Sequence, residues 1–198
     1  MKHPGMINEI NYTDSSIFEW SDNNFNKIKE IINKYPQGKK QSAILPVLDI
    51  AQRQNNGWLS KQAIEKVAET LSVSLIRVME IATFYSMFNL EPIGKYFIQM
   101  CRTTPCWLRG SDNLMKIAKE ITGCEVGETS KDNLFTLVEV ECLGACCNAP
   151  MVQINDDYYE DLDDNNFKEL LFNLKKGISV KRGSQINRQC SEPISEKK

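Results

Sequence analysis

Histidine is nearly absent: among 198 residues only His3 carries an imidazole. A Ser/His/Asp or Cys/His arrangement needs a placed imidazole and a Rieske-type cluster needs two, so neither chemistry is available. An excess of charge of one sign is missing as well. With 24 Lys and Arg against 26 Asp and Glu, the net charge is −2, which provides no basic field for a nucleic-acid backbone or an anionic membrane surface. Long hydrophobic runs are lacking too. The longest mainly apolar stretch, Ala43 to Ala51, is broken by Pro46 and Asp49 and falls short of the about 18 residues that a membrane span requires. No G-x-G-x-x-G follows a predicted strand and no P-loop occurs, so the chain itself is not expected to bind a dinucleotide. The opening residues, Met1-Lys2-His3-Pro4-Gly5-Met6, have neither the apolar core of a secretory signal nor the Arg-rich pattern of an organellar presequence. The expectation is a protein kept where it is made, or one already processed.

What is present is the balance of a globular protein, 41% hydrophobic and 25% charged residues, which excludes disordered, collagenous and membrane compositions. Seven cysteines are an odd number, and without an export signal they argue against a disulfide framework and for metal or redox chemistry.

Hydrophobic periodicity divides the chain. Residues 1–22 carry no sustained pattern and read as a flexible N-terminal arm. Residues 23–90 read as a helical subdomain. Phe25, Ile28, Ile31, Ile32 and Tyr35 recur every three or four positions from Asn24 until Pro36 and Gly38. Ser42 is placed to cap a second helix carrying Pro46 in its first turn, with Leu45, Leu48 and Ala51 on one face, ending before Asn55-Asn56-Gly57. Ser60 is placed to cap a third, whose Ile64, Val67, Ala68 and Leu71 form an i, i+3, i+4, i+7 stripe, and Ser74 opens a fourth with Leu75, Val78, Met79 and Ala82. These stripes are read as core. Trp58 and Phe84-Tyr85 could equally serve packing or a partner.

After Glu91-Pro92-Ile93-Gly94 the period changes, and residues 95–176 read as a second domain. Tyr96 to Met100 is a short apolar strand followed by a cysteine loop. A helix from Ser111 to Thr122 carries Leu114, Ile117, Ala118 and Ile121, and Phe135 to Val140 is a second strand. Strand, helix, strand at this length is a βαβ unit with parallel strands. Met151 to Ile154 and Tyr158 to Glu160 flank Asn155-Asp156-Asp157 as a hairpin, and Asn165 to Lys175 closes as a helix. The expected fold is α+β, an N-terminal helical bundle followed by a thioredoxin-like βαβ-ββα domain. Residues 177–198 read as an extended C-terminal tail.

Cys101 and Cys106 form C-x4-C after the first strand of the βαβ unit, and Cys142 and Cys146 form C-x3-C after the second. Parallel strands end on the same side, so the two pairs can face each other as a four-thiolate site. A structural zinc ion, an iron–sulfur cluster and two dithiols compete for it. Zinc ribbons favour C-x2-C knuckles and [4Fe–4S] sites favour tight C-x2-C-x2-C runs, whereas a [2Fe–2S] rhomb needs two thiolates on each of two irons. Spacing prefers the rhomb and leaves zinc and dithiol chemistry open.

The residues around these cysteines narrow the choice. Cys101-Arg102-Thr103-Thr104-Pro105-Cys106, Glu141-Cys142-Leu143-Gly144-Ala145-Cys146, Asn148-Ala149-Pro150-Met151-Val152-Gln153-Ile154-Asn155 and Tyr158-Tyr159-Glu160-Asp161-Leu162 closely resemble the NuoE-type subunit of NADH:quinone oxidoreductase, respiratory complex I. Leu45-Pro46, Gly57-Trp58-Leu59 and Ala82-Thr83-Phe84-Tyr85 look like the same family, and the resemblance spans Phe25 to Pro193. It implies one [2Fe–2S] cluster held by Cys101, Cys106, Cys142 and Cys146 on a thioredoxin-like ferredoxin domain, with no catalytic residue in the chain itself. It further implies a subunit of an oxidoreductase, partnered by the flavoprotein subunit that binds FMN and NADH and by other peripheral-arm subunits. FMN and NADH are reached only through that partner, with the cluster beside the main route to quinone. Neither nucleic acid nor a membrane span is implied. The location implied is the cytoplasmic face of a bacterial inner membrane, or the matrix side in an organelle. An equivalent subunit of an NAD-linked hydrogenase or formate dehydrogenase would look similar, and a zinc-stabilised interaction module is the alternative of another class.

The chain departs from the family pattern at Cys147, often an aliphatic position, and at Ser184 and Asn187, where the family usually carries Pro and Gly. Cys124 is read as a small apolar core residue and Cys190 as a thiol in a polar tail. Arg102, inside the first loop, is expected to point to solvent or a partner, or else to place a cation near the cluster, and Glu139 and Glu141 to be solvated strand-face carboxylates.

Overall fold

The computed structural model describes residues 17–191. They fall into two compact units, one running to Ile93 and the other beginning at Gly94.

The first unit is helical: α1 (Asp22–Asn33), α2 (Ile44–Gln54), α3 (Lys61–Leu71) and α4 (Leu75–Phe84). Ser21 caps α1 by accepting the Asn24 N–H, and Ser60 caps α3 by accepting the Ala63 N–H at 3.2 Å. Ser42 does not cap α2. It lies within a 3-10 turn, Lys40–Ala43, which feeds straight into the helix and places Pro46 at its third residue, where the missing N–H still interrupts no intrahelical bond. The stripe on α3 is buried as its period requires, and Ile64, Val67 and Leu71 meet Ile28, Val47, Leu48 and Val78 in one core. Of the expected arm, residues 1–16 lie outside the described residues. The adjoining stretch is held: Phe18 is buried, the Trp20 Nε1–H donates to Thr70 Oγ1 at 2.8 Å, and Lys66 pairs with Glu19 at 2.8 Å.

The second unit is a six-stranded sheet in the order β2-β3-β1-β4-β5-β6. Its strands are β1 (Tyr96–Cys101), β2 (Glu128–Thr129), β3 (Phe135–Val140), β4 (Val152–Ile154), β5 (Asp157–Glu160) and β6 (Gly183–Ser184), and its helices are α5 (Thr104–Leu108), α6 (Ser111–Thr122) and α7 (Asp164–Lys175). β1 and β3 run parallel from Tyr96 opposite Phe135 to Cys101 opposite Val140, while β4 lies antiparallel on the other side of β1. The expected βαβ-ββα order is thus present. Helices α6 and α7 pack on each other, and α6 also contacts β1 and β3. Ile98, Met100, Phe135, Leu137 and Val152 meet Leu114, Ala118, Phe167, Leu170 and Leu171 in the core between them. Asp163 caps α7 with a reciprocal capping box to Asn166.

Three elements were not expected from the sequence. α5 occupies what reads as a plain cysteine loop, β2 is a two-residue antiparallel edge beside β3, and β6 pairs parallel to β5 from within the tail. Gly94 enters β1 where an added Cβ would lie 2.8 Å from the Phe135 backbone, so only glycine allows the approach.

Candidate metal centre

Because β1 and β3 are parallel and in register, their C-terminal ends coincide. Cys101 is the last residue of β1, and Cys142 lies two residues beyond Val140, the last of β3. Cys106 sits on the single turn of α5, started by Thr104-Pro105, where proline is favoured. Cys146 begins a 3-10 turn, Cys146–Asn148, reached through Gly144 at φ 89°. Short helical turns therefore carry the second cysteine of each pair back toward the first.

The four cysteines form one neighbourhood. Cys142 Sγ and Cys146 Sγ are 3.3 Å apart, and Cys101 and Cys106 are buried in one cluster. Thr103 flanks the buried pair, its Oγ1 lying 3.4 Å from Cys101 Sγ. The pairs differ in exposure. Cys101 and Cys106 are buried with Ala145, Ala149 and Met151, whereas Cys142 and Cys146 are exposed.

The thiol acidities follow from this asymmetry. Burial, and then the neighbouring Cys101, pushes the Cys106 thiol up to about 12. Cys142 is lowered, first by the Gly144 N–H that donates to its sulfur at 3.4 Å and then by Cys146. Cys146 is raised in turn, chiefly by its hydrogen bond with Cys142. Sharing of a proton by close sulfurs explains the opposite directions in the outer pair.

The structure also places the residues around the thiols. Cys147 is exposed, with its sulfur 3.0 Å from Asn148 Oδ1, so it is Cys146 that joins the sulfur group. Cys124 is buried against the Thr122 and Phe135 carbonyls, and Cys190 is half-buried beside Gly183. Arg102 neither points free into solvent nor stands as an unpaired cation. It donates to Asp112 through Nε at 3.1 Å and through a second, short bond, and to Glu139 at 2.7 Å, so Glu139 is paired and not merely solvated. Burial of the guanidinium opposes its charge, but Asp112 and Glu139 outweigh that and raise its pKa. Tyr158, on β5, reads from the sequence as part of the hairpin and of the family-like run, without a role at the thiol site. Its hydroxyl donates to the Leu143 carbonyl at 2.8 Å, inside the Cys142–Cys146 loop.

A thioredoxin-like layer whose parallel strands end in two adjacent thiol pairs has the build of a thiolate ferredoxin. A [2Fe–2S] rhomb asks for two thiolate pairs, one to each iron, and two adjacent pairs are what the strand ends bring together. The donor set fits that cluster.

Comparison with known proteins agrees. The family model described as thioredoxin-like [2Fe-2S] ferredoxin matches residues 28–175. A NuoE-type NADH-quinone oxidoreductase subunit of Rickettsia typhi is 57% identical over 159 residues, 80% of this chain and 94% of that protein. A mitochondrial NADH dehydrogenase [ubiquinone] flavoprotein 2 from Dictyostelium discoideum is 49% identical over 88% of this chain and 71% of its own length. The chain belongs to the thioredoxin-like [2Fe-2S] ferredoxins, in their NuoE-type branch, and its cofactor is one [2Fe–2S] cluster. Among solved structures, an air-oxidized NAD+-reducing [NiFe]-hydrogenase matches with a TM-score of 0.62 at 19% identity, over 73% of this chain. This chain spans 25% of the hydrogenase chain, and the likeness is one of fold.

Proposed function

We propose that this chain is the iron–sulfur electron-transfer subunit of the NADH dehydrogenase module of respiratory complex I, and that Cys101, Cys106, Cys142 and Cys146 hold its cluster. The observation that carries the reading is the gathering of these four cysteines in two pairs at the shared end of β1 and β3, in a chain 57% identical to a protein named as a subunit of NADH-quinone oxidoreductase. When bound, a [2Fe–2S] cluster supplies a one-electron redox site. The buried pair, Cys101 and Cys106, excludes water from one side of it. The exposed pair, Cys142 and Cys146, presents the other side to a partner, near the exposed Trp107 and Leu108 of α5.

The partner in this reading is the FMN- and NADH-binding flavoprotein subunit. Hydride chemistry belongs to a flavin, which accepts two electrons and passes them on singly, and the sequence has no dinucleotide motif of its own. The chain then works at the cytoplasmic face of a bacterial inner membrane, or the equivalent matrix side, held there by the complex; no described helix is long and apolar enough to cross a membrane. Stopped-flow spectra test this directly. NADH alone should leave the cluster oxidised, and adding the FMN subunit should produce rapid reduction in a stable complex. Reduction by NADH without that subunit, or no reduction within the complex at potentials well below the cluster's midpoint, overturns the reading.

A further inference from the structure

The C-terminal segment does more than extend. β6 adds to β5, with Tyr159 opposite Gly183 and Glu160 opposite Ser184, and the chain then turns back through Asn187 at φ 61°, a left-handed conformation that asparagine tolerates better than most residues. At that return three side chains from distant parts of the domain are buried together: Asn148, Asp161 and Ser184. Asn148 closes the 3-10 turn that Cys146 opens. Its Nδ2 donates to Asp161 Oδ2 at 2.8 Å and to the Gln189 carbonyl at 2.9 Å. The Ser184 hydroxyl donates to the same Asp161 oxygen at 2.6 Å, and Arg188 donates to the other at 2.8 Å and to the Cys147 carbonyl at 3.3 Å. The Asp161 N–H completes the ring by donating to the Asn148 carbonyl at 2.7 Å.

We infer that residues 183–191 are a strap that positions the second thiol loop, with Asp161 as the positioning residue through which the strap acts on Cys146. Resting on the ligand assignment proposed above, the inference assigns the tail a role in retaining and tuning the cluster. The physical ground is the density of the hub. A buried carboxylate with a charged donor on one oxygen and two neutral donors on the other is strongly held, and it fixes the amide of Asn148 two residues from Cys146. Ligand position in turn depends on such outer partners, whose loss typically weakens metal binding about ten- to a hundredfold. Tyr158 holds the front of the same loop at Leu143; the Asp161 hub holds its back. Only the back depends on the tail.

The test uses the full-length cluster-loaded protein and compares wild type with Asp161→Asn, Ser184→Ala, Arg188→Gln, Arg188→Lys and a chain ending at Arg182. Cluster loss to a strong iron chelator, the EPR spectrum of the reduced cluster and thermal unfolding are read for each. Asp161→Asn and the truncation should lose the cluster about tenfold faster or more, with altered g-values. Arg188→Gln should lie between them and wild type, and Arg188→Lys should recover part of the loss. Arg188 has an exposed side chain, so its variants carry the test should Asp161→Asn not fold. Folded variants with wild-type spectra and loss rates overturn the inference, as does faster loss with an unchanged EPR spectrum, which marks a merely structural role. Cys146→Ala is the control on the ligand assignment: a cluster retained there refutes that assignment, whatever the strap variants do.

Discussion

Replacing Arg102 by Gln separates the charge of one side chain from the cluster it adjoins. A [2Fe–2S] centre with four thiolates carries a formal charge of about −2 when oxidised and −3 when reduced, so a nearby cation favours reduction. Arg102 directly follows Cys101. A unit charge at about 8 Å with an effective dielectric near 20 contributes about 2 kcal/mol, equivalent to about 90 mV for one electron. Because the guanidinium, Asp112 and Glu139 side chains are 27%, 43% and 28% exposed, solvent and salt reduce this to tens of millivolts. Arg102 is bound to two carboxylates, so the trio carries a net charge of −1 and depresses the potential as a unit. Arg102→Gln should therefore lower the midpoint by tens of millivolts. The triple variant Arg102→Gln, Asp112→Asn, Glu139→Gln should instead raise it above wild type, and both shifts should shrink at high salt. An EPR-monitored redox titration measures all three proteins. A single variant that moves upward, or a triple variant that stays below wild type, refutes the electrostatic reasoning.

Anaerobically purified protein should hold about two irons and two acid-labile sulfides per chain; Ser at Cys101, Cys106, Cys142 or Cys146 should remove or strongly disturb the cluster in the visible spectrum, while Ala at Cys124, Cys147 or Cys190 should keep it. Tyr158→Phe strands the Leu143 carbonyl without its donor and should cost about 1 kcal/mol, read as a drop of about 2–4 °C in Tm, with the cluster still present. Cys124 is raised from 9.0, first of all by burial, so the folded state prefers its protonated thiol. Its contribution to stability is complete below that pH and is lost as pH rises through the elevated value. Iodoacetamide at pH 8 should accordingly label Cys124 in guanidinium and spare it in the folded protein, as peptide mapping can determine.

Local pattern made much of this molecule legible. The stripe Ile64, Val67, Ala68 and Leu71 and the helix Ser111–Thr122 were readable because a helical period repeats within a few residues. The strand Phe135–Val140 was readable because a short apolar run is bounded by polar turns. The four cysteines were readable as a site because C-x4-C and C-x3-C each follow one of two strands that a βαβ connection makes parallel. The sequence by itself therefore determined most of the helices and strands, that the two cysteine pairs face each other and, through its resemblance, the kind of cluster the family carries. Only the tertiary structure decided that Cys101 and Cys106 face the interior while Cys142 and Cys146 face out. It likewise decided that Arg102 is claimed by carboxylates from α6 and β3, and that Asp161 meets Asn148, Ser184 and Arg188. Those partners lie 10 to 37 residues apart in sequence, and no local periodicity encodes them. A hydrogen bond or an ion pair is specified by where two side chains arrive after the sheet has registered, and that position is a property of the packed chain.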